Sequence, residues 1–452
     1  MYKVILATRY LLKRRITYFA VLAVALCVFI VVVVMTVMTG LVNDFKDKNH
    51  SFAGDCVVGT ESLVGFPYYE DFISSLAGRD FVEAVSPAIK SYALLTVRLR
   101  DLNIVNIGVE IVGIDPIAHS RATGFAETLY YRKGDVSRAF VPSYDPNLLG
   151  CVLGIDIVME RDSRSEYPYE ASPAEIAFSI SCFPLTAKGA LAKAGAGLVN
   201  TQTFYYSDAS HSGLARVDGS TVYLQFEQAQ LLCGMAGPVK RISAIHIKFK
   251  PDVKLQDGCE KVTSLWQNFK RQTAGREQAD LLDTVTVQSW KDHRRAFIAA
   301  MEKEQTMLIV MFGFVGITTV FIVFVVFYMI ISHKTKDIGI LKSVGASNAD
   351  IVGLFSGFAS LVGLLGACIG LLGGWAFLLK INRIESWLFE HFGFQLWNRT
   401  IFAIGDIPNR VDAGVLLAIA ASAIAACLLG ALVPTWQAAA SKPVETLRAA
   451  QL

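Results

Sequence analysis

Charge is scarce in this sequence, and in four places it is missing altogether. Only 18% of the 452 residues are charged, against 53% hydrophobic, and the mean hydropathy is +0.44. Residues 17–40, 306–332, 351–379 and 413–440 contain no Asp, Glu, Lys, Arg or His. A bilayer-spanning helix needs roughly 20 apolar residues, so each stretch is long enough to cross. Ion-coupled transporters and proton relays place ionisable groups at membrane depth, so these stretches exclude that class. No G-x-x-x-x-G-K-[ST] occurs, which removes nucleotide binding through a P-loop. No C-x-x-C occurs among the eight cysteines, and no metal site is expected. Nor does one sign of charge dominate. The formal net charge is +3, which argues against nucleic acid as a partner.

What is present gives an orientation. Lys3, Arg9, Lys13, Arg14 and Arg15 precede the first stretch with no acidic residue among them, which predicts a cytoplasmic N-terminus. That stretch is too long for the apolar region of a signal peptide, roughly 7–15 residues, and is expected to be retained. Four crossings then predict eight segments. Residues 1–40 hold the cytoplasmic start and helix 1, 41–288 an outer domain, and 289–332 a stalk and helix 2. Residues 333–350 form a cytoplasmic loop, 351–379 helix 3, 380–412 an outer loop, 413–440 helix 4 and 441–452 a cytoplasmic tail. The expected fold class is therefore membrane α-helical, four transmembrane helices with a large α+β periplasmic domain inserted between helices 1 and 2.

Within 41–288 both periodicities appear. Alternation in "STVYLQF" (Val222, Leu224, Phe226) and "AIHIKFK" (Ile245, Ile247, Phe249) reads as strand. "YALLTVRL" and "NIGVEIVGI" read the same way, whereas Val262, Leu265, Trp266 and Phe269 share one helical face. Five cysteines fall here: Cys56, Cys151, Cys182, Cys233 and Cys259. The number is odd, one or two disulfides are compatible with it, and spacing does not give connectivity. Asp208 and His211 lie near Ser207 and Ser210 without an elbow or oxyanion context, so they read as structural.

Two features stand out in the membrane half. Helix 3 carries Gly353, Gly357, Gly366, Gly370 and Gly374, in pairs four residues apart, which lets helix backbones approach closely in lipid. Packing inside the bundle and pairing with a second chain both fit. The loop "KTKDIGILKSVGAS" (334–347) is a charged, amphipathic helix where a plain turn would suffice. Its face Ile338, Leu341, Val344 or Gly345 would be presented, with Lys336, Asp337 and Lys342 solvated. It could lie on lipid or dock into a groove on a cytoplasmic partner.

"DIGILKSVGAS" followed by "IVGLFSGFASLVGLLGACIGLLGG" resembles the FtsX/MacB-type ABC transporter permeases, and more narrowly the permease subunits of the lipoprotein-releasing (Lol) system. "ATRYLLKRR", "VVVMTVMTGLVNDF", "SWKDHRRAFIAAMEKEQTMLIV" and "LVPTWQAAASKPVETLRAA" are similar to further parts of that family. The resemblance covers both ends and all four apolar stretches. It implies a non-enzymatic subunit that binds no cofactor itself, with ATP and Mg on a separate cytoplasmic ABC ATPase. It further implies a second permease chain, identical or homologous, a lipoprotein substrate in the bilayer, and a periplasmic lipoprotein chaperone. On this resemblance the ATPase-coupling loop maps onto Lys336, Asp337, Ile338, Gly339, Leu341, Lys342, Gly345 and Ala346. A chaperone-binding hook would fall in Pro184–Asn200, whose charged residues are Lys188 and Lys193. The chain departs from the family after "GCVLGIDIVMERDSRS", where the usual G-D strand start is missing. Two other functions on similar architecture are export of macrolides or peptides, and FtsX-like regulation of periplasmic cell-wall hydrolases.

Overall fold

The computed structural model describes residues 15–98, 104–161, 167–168, 172–191, 199–333, 335–393 and 406–440. They form two compact units. One comprises Asp44–Ala299, and the other is built from segments on either side of it. The chain enters through helix α1, Arg15–Ala53.

The inserted unit is a mixed sheet with helices against it. In chain order its elements are β1 (Cys56–Gly59), β2 (Phe66–Pro67), α2 (Tyr69–Leu76), β3 (Val82–Arg98), β4 (Ile104–Ile114) and α3 (Pro116–Ala122). They continue with β5 (Gly150–Gly154), β6 (Ala177–Cys182), β7 (Asn200–Ser210), β8 (Thr221–Gln225) and α4 (Phe226–Leu232). β9 (Arg241–Ile242), β10 (Ala244–Phe249), α5 (Leu255–Thr273) and β11 (Thr286–Ser289) follow, with short helical turns between the main elements. The strand order is β11-β1-β10-β3-β4-β8-β5-β7-β6, and β6 pairs back onto β3.

The 17-residue β3 makes that closure geometrically available. Along one edge Ala88–Arg98 pairs with β4. Along the other, Val82–Ala88 pairs with β10 and Val97–Ala93 with β6. Strands β3, β4, β8, β5, β7 and β6 therefore close into a ring, while β10, β1 and β11 continue the sheet outward. Closing a sheet removes the unpaired backbone groups of an edge. Pro87, which has no N–H to donate, sits just before the pairing with β4 begins at Ala88.

α5 explains how the outer strands are covered. Val262, Trp266 and Phe269 are buried at helical spacing. Trp266 meets Phe72 edge-on with ring centroids 4.8 Å apart, and Phe66 at 5.6 Å. The expected strand over Val222–Phe226 is shorter than its alternation suggests. β8 ends at Gln225 and Phe226 opens α4. Thr221 to Leu224 are all buried, so both faces of this strand are covered and alternation was not the deciding signal.

The other unit contains the first part of α1, then α6 (Arg295–His333), α7 (Thr335–Ser343), α8 (Asn348–Phe392) and α9 (Ala413–Ala440). Among the described residues, four helices are long and apolar enough to cross a membrane: α1, α6, α8 and α9. At about 1.5 Å per residue, helices of 39 and 45 residues exceed a hydrocarbon core of about 30 Å. Apolar side chains face outward along α6, including Met307, Met311, Phe314 and Phe321, each more than half exposed. In water such a surface would be costly, and in lipid it is the ordinary one.

Candidate functional site

The stretch expected to couple the chain to a partner forms a stop–start between α7 and α8. Gly345 adopts φ +101°, a conformation that side chains with a Cβ rarely take. Its N–H donates to Lys342 O and the Ala346 N–H to Leu341 O, each at 3.0 Å, which is the Schellman arrangement for ending a helix. Two residues on, Ser347 Oγ accepts from Asp350 N–H at 3.1 Å, and Ser347 N–H donates back to Asp350 Oδ2 at 3.3 Å. This capping box starts α8. The break is therefore written locally into "VGASNAD".

α7 is fixed to its own bundle. Ile338 is 2% exposed and packs with Ile331, Ile351, Phe355, Ala438 and Ala439. Lys342 Nζ donates to the Ala439 carbonyl at 2.6 Å, a cation on the carbonyl-rich end of α9. This corrects the expected face. Ile338 is turned inward and half-buried Lys342 is engaged, while Ile340 (48% exposed) and Val344 (83%) are the apolar side chains left outward. The reason is that the bundle has its own use for Ile338 and for the lysine charge. Gly339 is buried, and Leu341 and Ala346 are half-buried. Lys336 and Asp337 lie on α7. Lys334 lies outside the described residues.

The glycines of α8 divide into two groups. A Cβ added at Gly366 would come within 2.7 Å of Val24 Cγ1, at Gly370 within 2.6 Å of Ala25 O, and at Gly374 within 2.9 Å of Val32 Cγ1. Side chains there are excluded because α1 occupies the space. Gly363 meets α9 in the same way, with Ile424 Cα at 3.1 Å. Gly353 and Gly357 have nothing within 4 Å among the described residues.

In the inserted unit, residues 184–191 make a tight turn closed by the bridge Leu185–Leu191. Thr186 N–H donates to Ala190 O at 2.8 Å, and Lys188 is exposed at the tip. Lys193 lies outside the described residues. The turn is rooted by Arg241, which is only 5% exposed. Its guanidinium donates to Val64 O (2.9 Å), Leu185 O (2.9 Å) and Gly234 O (3.0 Å). Among the described residues no carboxylate pairs with it, and a buried guanidinium of that kind is tolerable only when its N–H groups are used this way. No pattern in the sequence pointed to it.

Ser207 and Asp208 are committed to backbone partners. Asp208 accepts backbone N–H groups from Tyr131, Arg132 and Ala209, so its carboxylate caps a turn. Ser207 Oγ lies 2.7 Å from the Ala139 carbonyl and 2.8 Å from that of Cys151, two acceptors for its one proton. His246 holds Ala53 O at 2.8 Å, and burial pushes its pKa down to about 3. It is structural.

Four bilayer-length helices, a helical connector with two outward apolar residues and a large sheet domain inserted after the first helix define a class: polytopic membrane proteins with an inserted extramembrane domain. Residues 309–443 match the family described as FtsX-like permease C-terminal. Over 440 residues the chain is 22% identical to the lipoprotein-releasing system transmembrane protein LolC of Neisseria meningitidis, covering 96% of this chain and 94% of that one. A 162-residue stretch is 25% identical to LolC of Xylella fastidiosa, covering 36% and 39%. A further 119 residues are 26% identical to LolE of Haemophilus influenzae, covering 26% and 29%. The periplasmic region of MacB from Actinobacillus actinomycetemcomitans superimposes with a TM-score of 0.30 at 11% identity, covering 55% of this chain and 93% of that one, too loosely to place any element. The chain thus carries a region that matches the FtsX-like permease C-terminal family, and along nearly its whole length it is similar to a Lol-system transmembrane protein.

Proposed function

We propose that the chain is the inner-membrane permease of a lipoprotein-releasing complex, with both termini cytoplasmic and the inserted domain in the periplasm. The observation that carries this reading is the similarity to a LolC protein along nearly the whole of both chains. ATP and Mg belong to a separate cytoplasmic ATPase, because the chain has no P-loop of its own. α7 is the element that ATPase pushes. Ile340 and Val344 enter a groove on it, while Ile338 and the Lys342–Ala439 hydrogen bond transmit the push to the bundle. The spans lack ionisable groups, so the work on the substrate is mechanical: a lipid-anchored protein is lifted from the bilayer instead of passing through a water-filled pore. A second permease chain completes the complex, and the turn at Lys188 is where a periplasmic chaperone would receive the lipoprotein.

Affinity purification after mild detergent extraction tests the assembly. An ATPase, a second permease chain and a bound lipoprotein should co-purify. Recovery of an outer-membrane channel and adaptor would replace this reading with macrolide or peptide export. Recovery of a cell-wall hydrolase activator without lipoprotein would replace it with regulation. Val344→Asp should leave membrane insertion intact and uncouple ATP hydrolysis from transport. It is a cleaner probe than Gly345→Asp, which would also strain the positive-φ turn.

A further inference from the structure

Four of the five cysteines in the inserted domain lie in two pairs. Cys182, the last residue of β6, places its Sγ 3.9 Å from Cys233 Sγ, one residue past α4. Cys56 in β1 is buried in the hydrophobic cluster against which Cys259, in the first turns of α5, packs. The fifth, Cys151 in β5, stands apart, with its Sγ 3.5 Å from Tyr205 O. Sulfurs in a disulfide are about 2.05 Å apart, so the first pair needs its sulfurs to approach by only about 2 Å. Neither pair is close in sequence. Residues 182 and 233 are 51 apart, which is why spacing could not connect them.

We propose that this domain carries two disulfides, Cys182–Cys233 and Cys56–Cys259, and that Cys151 remains a thiol. The proposal rests on the periplasmic placement of the domain, where disulfides persist. The oxidant is a disulfide of a protein or small-molecule exchange partner. One cysteine thiolate of a pair attacks an oxidant sulfur, breaking the oxidant's S–S bond, and the first oxidant sulfur leaves as a thiol. The second cysteine thiolate then attacks the mixed disulfide, forming the internal S–S bond and releasing the second oxidant thiol. Two protein thiols are oxidised, one disulfide is reduced, and the two protons end on the departing thiols. Cys56, Cys182 and Cys233 are buried in the folded domain, so oxidation precedes closure of the core.

The Cys182–Cys233 bridge also has a mechanical place. Pro184 lies two residues beyond Cys182, and its Cβ would be 2.6 Å from a Cβ at Gly234, the residue after Cys233. Arg241 binds the Leu185 and Gly234 carbonyls at the same spot. The bridge therefore staples the root of the turn that Lys188 tips.

Intact-mass analysis of the full chain, purified from cells with an oxidising periplasm, then denatured and alkylated, tests this. Of eight cysteines, four should alkylate before reduction and all eight after it. Peptide mapping should link Cys182 to Cys233 and Cys56 to Cys259, and Cys151→Ser should keep both links. A bridge involving Cys151 would overturn the pairing. So would eight free thiols in a chain whose inserted domain is labelled from outside by a membrane-impermeant reagent. Eight free thiols with no outside labelling would overturn the periplasmic placement, and the bridges in the cell with it.

Discussion

The membrane bundle and the inserted domain solve packing by opposite means. In the bundle, α8 approaches α1 along Gly366, Gly370 and Gly374, where the missing side chains let backbone and valine methyls fill the gap. In the domain, large groups do the work: Trp266, Phe66 and Phe72 are fully buried, and Arg241 is buried with its N–H groups used on carbonyls. The solvents account for the difference. Water expels aromatic surface strongly, whereas lipid offers no such drive between helices, and close van der Waals approach takes its place. One chain thus contains two materials, and a substitution should be felt in only one of them.

Four changes test that separation in the full chain in detergent, where the units should give distinct thermal transitions. Trp266→Ala should lower the domain's transition most, by about 4 kcal/mol, and leave the bundle's in place, as followed by circular dichroism at wavelengths for sheet and helix. Gly370→Leu should lower the bundle's transition by about 3 kcal/mol, because the new side chain meets Ala25 O and Val28. Gly357→Leu, in open space, should change it by less than about 0.5 kcal/mol. Arg241→Met should cost the domain about 2 kcal/mol by orphaning three carbonyls, and should speed proteolysis near Lys188. A common shift of both transitions in any of these would break the separation.

Acid should act on the domain alone. Burial lowers the pKa of His246 to about 3, that of His293 to about 2, and that of His119 well below its ordinary value. Between pH 4 and 6.5 the unfolded chain binds more protons at these three sites than the folded one, so stability rises with pH there. Asp218, pushed up to about 6 by burial, works the other way: below its folded pKa the domain holds that proton and is favoured. His211, lowered to about 4 by burial, joins the three histidines, and Asp208, raised by burial, joins Asp218. With four histidines against two carboxyls, the domain's transition should fall as pH drops from 7 to 4, and a transition that rises on acidification would show that the two carboxyls dominate.

How much of this the sequence carried depends on how local the cause is. The four apolar stretches needed only composition, and Val262, Trp266 and Phe269 needed only helical period. Gly345 and the Ser347–Asp350 spacing were also local signals, a helix stop followed by a capping box, and could have been read. The turning of Ile338 inward could not, because it depends on Ala439, 97 residues away from Lys342. The ring closed by β6 on β3, the Arg241 clamp and the two cysteine pairs share that property. β1 and β11, four residues each, are too short to show a period, and Pro87 masks the start of β3.

The central claim is that an external ATPase drives this chain through α7 to release lipoprotein. Proteoliposomes containing the permease chains, the ATPase and a lipid-anchored protein test it most directly, with release measured on addition of ATP. Release should require both ATP and the ATPase, and should be lost in the Ile340→Asp, Val344→Asp double variant although the complex still inserts. Release by the permease chain without the ATPase, or undiminished release by the double variant, would contradict it.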